Sequence, residues 1–251
     1  MDTTHEINKA RVKLLNVPID IVSPEQLGPL VFELLAAKEP QDIVLLSLWD
    51  LLRFRRNAEY RAYVQHAAMV IPISKSLISG ARFLSGKKPV RYMPFDFVIN
   101  ILTILESRNY SVYLLGGKRR VLLKAEKNIS QTFPHLHIVG RCIGAFKRTD
   151  EPDITEAIRK SAPSLLLTGK GVRGGELWIS RNKTKIGSGL RLWCSDLFEV
   201  FAEKKKRPSR GAFEAGLEWI GYCFQKPYKF CRVFLYIYYL ILLLVYKIFS
   251  L

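Results

Sequence analysis

Ser111-Val-Tyr-Leu-Leu-Gly-Gly-Lys-Arg-Arg120 decides the fold: five uncharged residues run into a glycine pair, and cations then open a helical pattern. An apolar run this short predicts a strand buried on both faces. A glycine turn that feeds a helix is the first half of a strand–helix–strand unit, and the unit recurs along the chain. Upstream, Ser23-Pro24-Glu25-Gln26 combines an N-cap, a proline at the first helical position and a capping-box glutamine, which predicts a helix ending near Ala37. Ile43-Val-Leu-Leu-Ser-Leu48 reads as another buried strand, as do Ala68 to Ile71, Leu136 to Gly140 and Ser164 to Thr168. The fold class is therefore α/β, a Rossmann-like, mostly parallel sheet with helices on both faces. Ligands in such sheets bind beyond the carboxyl ends of the strands, so the residues after each run are the ones to examine.

The chain has 251 residues, 49% of them hydrophobic, which excludes a largely disordered protein. No linker long enough to divide the body appears, so residues 1–200 form one domain and residues 201–251 an appendage. The formal net charge of +17 calls for an anionic partner such as lipid headgroups, a nucleotide diphosphate or nucleic acid. Zinc-finger spacing, basic heptads and RNA-recognition strands are all missing, so no nucleic acid is expected. Cys142, Cys194, Cys223 and Cys231 are scattered without a CxxC pair, which indicates reduced thiols rather than zinc or disulfides. Met1-Asp-Thr-Thr-His-Glu6 lacks the basic and apolar parts of a secretory signal, which places the body in the cytoplasm.

The appendage has two parts. Lys204, Lys205, Lys206, Arg207, Arg210, Lys226, Lys229 and Arg232 face only Glu203, Glu214 and Glu218, and Val233 to Tyr246 is then uncharged, apolar and aromatic. Each cation near anionic lipid contributes about 1 kcal/mol, so the pattern predicts anchoring to anionic membrane lipids at the cytoplasmic face of the cell membrane. The run is apolar on every helical face, which makes docking onto the chain's own core a poor explanation. As a helix it covers roughly 21 Å, short of a bilayer core of about 30 Å; with Lys247 to Leu251 it becomes a marginal span, so spanning and lying flat both stay open. A buried terminal helix, or a contact between copies in a homo-oligomer, is the alternative.

Several pieces carry candidate chemistry. Gly116, Gly117 and Lys118 lie where backbone amides, the helix dipole and cations meet a diphosphate, although alone they fit a tight turn with a solvated basic patch better. Arg91-Tyr-Met-Pro-Phe-Asp96 opens a helix with a carboxylate in its first turn, for which a plain cap is the bland account. Gly169 to Trp178 holds four glycines in its first seven residues, including Gly171, which suggests close backbone approach to something, and with two cations, Glu176 and Trp178 the segment is suited to accept a nucleotide. His135 and His137 share a strand face without a third ligand, so no metal is expected, and Ser47 has no histidine partner of the hydrolase kind.

Taken together, Leu45-Leu-Ser-Leu-Trp49, Ile71-Pro72, Arg91 to Asp96, Leu114 to Lys118, Val139-Gly140 with Gly144-Ala-Phe146, Gly169 to Asn182, Arg207-Pro208 and Gly216-Leu-Glu-Trp219 resemble the WecG/TagA/CpsF family of bacterial glycosyltransferases. That family includes teichoic-acid N-acetylmannosaminyltransferases. The resemblance implies inverting, metal-independent transfer of an N-acetylhexosamine from a UDP-sugar donor to a polyprenyl-diphosphate-linked acceptor, in cell-envelope polysaccharide synthesis and with no cofactor. It also implies a basic appendage that reaches the membrane. Where the family has Thr-x-Asn this chain has Ser47-Leu-Trp49, and where the family has Pro-Asp-Gly, with the aspartate as general base, it has Pro72-Ile73-Ser74. An isoleucine takes no proton, so Asp96 and Asp50 become the candidate carboxylates, with Ser47 hydrogen-bonding substrate. The family's Gln-Glu pair appears as Gly175-Glu176, and its Phe-Asp as Phe198-Glu199. The resemblance assigns Arg91, Lys118, Arg207 and Arg210 to the diphosphate, and Glu176, Trp178 and Glu199 to the donor side. The alternative is an inactive scaffold or nucleotide-sugar sensor that keeps the fold without turnover.

Overall fold

The computed structural model describes residues 9–187, 189–207, 209–216 and 232–249. In chain order the elements are β1 (Ala10–Leu14), β2 (Val17–Ile21), α1 (Pro24–Ala36), β3 (Gln41–Leu46), α2 (Leu48–Arg56), α3 (Ala58–Gln65) and β4 (Met69–Pro72). Then come α4 (Lys75–Ser85), α5 (Pro94–Glu106), β5 (Ser111–Leu115), α6 (Arg119–Thr132), β6 (His137–Cys142), α7 (Glu151–Ser161) and β7 (Leu165–Thr168). The last are α8 (Glu176–Arg181), α9 (Lys183–Ile186), β8 (Leu190–Trp193), α10 (Leu197–Phe201), α11 (Arg210–Ala215) and α12 (Arg232–Phe249).

Six strands form one sheet in the order β4-β3-β8-β7-β5-β6, and every pairing in it is parallel. The expected α/β class is therefore what the chain adopts. Ile43, Leu114, Leu167 and Leu192 are fully buried, because helices cover both faces of the central strands. One apolar core joins the sheet to α1, α5, α6 and α10, and a second joins it to α2, α3, α4 and the β1–β2 hairpin. Helix α1 starts as its residues dictate: Ser23 donates its amide to Gln26 Oε1 at 3.1 Å, and Pro24 occupies the first turn.

Three features depart from the sequence reading. The strand expected to run to Leu48 ends at Leu46, because Ser47 caps α2 and Leu48 is already helical. β8 enters the middle of the sheet although Arg191 interrupts its apolar run; that side chain is 1% exposed and its Nε donates to Asp42 Oδ1 at 2.8 Å. The terminal run does dock on the body. Tyr239 and Leu243 are buried against α4 and the hairpin, Leu235, Leu242 and Tyr246 complete that stripe, and the rest of the helix stays exposed. Uniform apolarity hid this because helix geometry, not composition, selects the covered stripe. Among the described residues no helix is long and apolar enough to cross a membrane.

Candidate active site

The residues singled out from the sequence gather at the carboxyl edge of the sheet, on the loops after β3, β4, β5, β7 and β8. After β5, Gly116 and Gly117 are buried, with φ of +135° and +67°. Gly116 N–H donates to Cys142 O at 2.9 Å and Gly117 N–H to Lys170 O at 2.6 Å, while Gly144 N–H donates to Gly117 O at 3.1 Å. A methyl at Gly116 would lie 2.8 Å from the Gly169 carbonyl oxygen, and one at Gly144 2.7 Å from Gly171 C. The glycines thus let three loops cross backbone to backbone, and a ligand is not what they approach. With their amides engaged by neighbouring loops, Gly116 and Gly117 do not present an anion cradle. The exposed side chains beside them are Lys118, Arg119 and Arg120 at the start of α6 and Lys170 and Arg173 on the loop that carries Gly171.

Ser47 and Asp50 form a capping box at the start of α2. Ser47 donates its amide to Asp50 Oδ2 at 2.9 Å and its hydroxyl to the same oxygen at 2.5 Å. Burial pushes the Asp50 carboxyl above the usual carboxylate range, and the bonds from Ser47 only partly offset it. Ser74, from the end of β4, accepts the Leu48 amide at 3.2 Å and so joins the two strand ends. Glu176 pairs with Arg53, whose guanidinium lies 4.3 Å from the Tyr60 ring centroid. Burial raises the Glu176 carboxyl as well. This pairing ties α8, and the glycine loop before it, to α2.

Arg91 bridges two segments, donating from Nε to Ile73 O at 2.9 Å and from Nη1 to Phe213 O. Its guanidinium also stacks on Phe213, 3.7 Å from the ring centroid. Lys75 Nζ donates to Ala215 O at 3.0 Å, so α11 is held against the end of β4 by two cations. Arg207 lies 3.9 Å from the Phe95 ring centroid, with Nη1 3.8 Å from Asp96 Oδ1. Tyr92 N–H donates to Pro72 O at 3.4 Å, so Arg91 and Tyr92 both fasten the start of this segment to the strand end where Ile73 sits. The Asp96 side chain keeps 37% exposure, enough to meet a substrate. The Arg210 side chain lies outside the described residues, as do Trp219 and the basic stretch from Lys226 to Cys231.

Three assignments change. Trp178 is 4% exposed and packs edge-on to Phe146, at 5.7 Å between centroids, so it supports the loop from the core and offers no stacking face. Arg91 and Glu176 hold the walls of the site together, where the sequence suggested free contacts to a nucleotide. Glu199, in the first turn of α10, has Oε2 buried and unpartnered, and Thr168 Oγ1 at the end of β7 and Trp178 Nε1 share that state among the described residues. Lys75 and Phe213 carry structural contacts the sequence did not reveal, because their partners are 140 and 122 residues away.

A parallel α/β body with cations, an accessible carboxylate at Asp96 and a clasping C-terminal segment at its strand ends has the layout of a group-transfer enzyme. The chain belongs to the glycosyl transferase WecG/TagA/CpsF family, whose model matches residues 12–250, and is a glycosyltransferase. It is similar to a Staphylococcus aureus (strain NCTC 8325 / PS 47) protein named N-acetylglucosaminyldiphosphoundecaprenol N-acetyl-beta-D-mannosaminyltransferase. The two are 18% identical over 222 residues, 88% of this chain and 87% of that one. A Bacillus subtilis (strain 168) protein of the same name is 18% identical over 178 residues, 71% of this chain and 69% of its own length.

Proposed function

We propose that the protein transfers an N-acetylhexosamine from a UDP-sugar to a polyprenyl-diphosphate-linked acceptor, in cell-envelope polysaccharide synthesis at the cytoplasmic face of the cell membrane. The observation that supports the reading is the exposed Asp96 carboxylate, with Arg207 Nη1 at 3.8 Å, in a segment whose Arg91 and Tyr92 bond to Ile73 O and Pro72 O at the end of β4. Asp96 takes the proton of the acceptor hydroxyl, whose oxygen bonds to the anomeric carbon as the bond to the phosphate oxygen breaks. UDP leaves with that electron pair. Lys118, Arg207 and Arg210 offset the charge developing on the diphosphate, and Ser47 hydrogen-bonds substrate from the neighbouring strand end. Glu199 serves the donor side through its unpartnered oxygen. Asp50 positions Ser47 and is not the base, since its carboxylate already accepts both Ser47 donors. The exposed apolar face of α12 supports membrane association.

Calorimetric titration of UDP into the full-length protein in detergent tests the donor site. Micromolar binding, weakened at least tenfold by Lys118→Glu, is the expected result. Absence of binding would favour the second reading, a scaffold without turnover, for which the isoleucine at position 73 is the supporting observation.

A further inference from the structure

The outward side of α12 continues onto the body. Phe234 is 74% exposed, Ile248 73% and Leu244 55%, and Phe83 on α4 stands exposed beside them, with the Lys247 ammonium 5.7 Å from its ring centroid. Tyr236 and Tyr238 are also exposed along the helix, side chains suited to the boundary between acyl chains and headgroups. Cations on α2 and α4 accompany this apolar plate. Arg55 and Arg56 end α2, with guanidinium groups 5.5 and 6.0 Å from the Tyr246 and Tyr238 centroids, and Arg82, Lys87 and Lys88 stand exposed at the end of α4 and in the turn after it. Neither α4 nor α12 contains an acidic residue, and the single one in α2, Asp50, is turned inward to Ser47.

The helix is also fastened. The Tyr239 hydroxyl fills the notch left by Gly80, where a methyl would overlap it, and donates to Ser76 O at 2.8 Å. Tyr246 Oη accepts from Asn16 Nδ2 at 3.2 Å and from Arg55 Nη1 at 3.1 Å.

We infer that the protein rests on an anionic bilayer through one composite face, made by the outward side of α12, Phe83 and the cations of α2 and α4, with α12 remaining docked on the body. This deepens the membrane part of the reading above and rests on it. Charge complementarity selects the occupant. A second copy laid on the same face would set Arg56, Arg82 and Lys88 against their own counterparts, whereas anionic headgroups neutralise them while the acyl boundary takes Phe83, Phe234 and Ile248. The chain then meets the membrane as a rigid plate that includes its catalytic body, and the tail is not a tether.

The test is co-sedimentation of full-length protein with vesicles of phosphatidylcholine, alone or mixed with phosphatidylglycerol. Wild type binds the mixed vesicles and binds the neutral ones weakly. The triple variant Arg82→Glu, Lys87→Glu and Lys88→Glu, and separately Arg56→Glu with Phe83→Ser, each lose at least about tenfold in affinity for the mixed vesicles while keeping the wild-type unfolding midpoint. Unchanged binding by both variants, with binding abolished by deleting residues 230–251, would overturn the composite face and leave a tail anchor standing. Binding that survives the deletion would also overturn the composite face, whose apolar side is α12, whereas no binding of the wild type to either vesicle would sink the membrane reading itself. A dimer seen by light scattering, broken by Phe234→Ser and Ile241→Ser, with no affinity for mixed vesicles, would overturn the inference in favour of a second copy.

Discussion

Asp96→Asn lowers kcat by about 10²–10⁴-fold with little change in KM, because the amide is nearly isosteric and removes only the ability to take a proton in the transition state. Arg207 keeps its stacking on Phe95, which does not depend on the Asp96 charge. Asp50→Asn behaves differently. Its carbonyl oxygen still accepts the Ser47 amide, so the capping box is weakened and turnover falls by less than about tenfold. Steady-state rates of the two variants, side by side, separate the accessible carboxylate from the capping one. Equal rates for Asp96→Asn and wild type would remove Asp96 as the base.

Arg191→Met destabilises the fold by about 3–5 kcal/mol, since it leaves Asp42 buried and unpaired at the heart of the sheet. For a chain of this length that lowers the unfolding midpoint by roughly 10 °C. Arg191 Nη2 also donates to Pro40 O at 3.2 Å, a bond lost with it. The effect depends on pH with a definite sign. Burial already raises the Asp42 carboxyl, with Arg191 pulling it back, so removing the arginine raises it further. The folded state then holds a proton that the unfolded state releases, and stability falls as pH climbs from the ordinary carboxylate value to the raised one. Thermal melts should therefore show a larger deficit at about pH 8 than at about pH 5. Replacing Asp42 with Asn in the same chain recovers much of the loss by removing the orphaned charge.

Much of this architecture was legible because continuous apolar runs admit few alternatives. The segments read as strands at 43–48, 68–71, 111–115, 136–140 and 164–168 correspond to β3, β4, β5, β6 and β7 within a few residues. β8 was not legible, since a charge in a four-residue run argues against a central strand unless its buried partner is known. The β1–β2 hairpin turns on Leu15 and Asn16 with φ of 50° and 67°, and a leucine there carries none of the usual turn signal. The site was legible as a location: the motif residues lie on loops at the carboxyl edge of one sheet. Their roles were not. Glu176 and Arg91 read as ligand contacts until Arg53 and Phe213, 123 and 122 residues away, supplied their partners. Trp178 read as a donor-side contact because a sequence does not say which side of a short helix faces the core.

Release of UDP by full-length protein in detergent, given a UDP-N-acetylhexosamine and a polyprenyl-diphosphate-linked N-acetylglucosamine, tests the central claim most directly. The account predicts release that requires the acceptor and is lost in Asp96→Asn. No acceptor-dependent release across the common N-acetylhexosamine donors would contradict it.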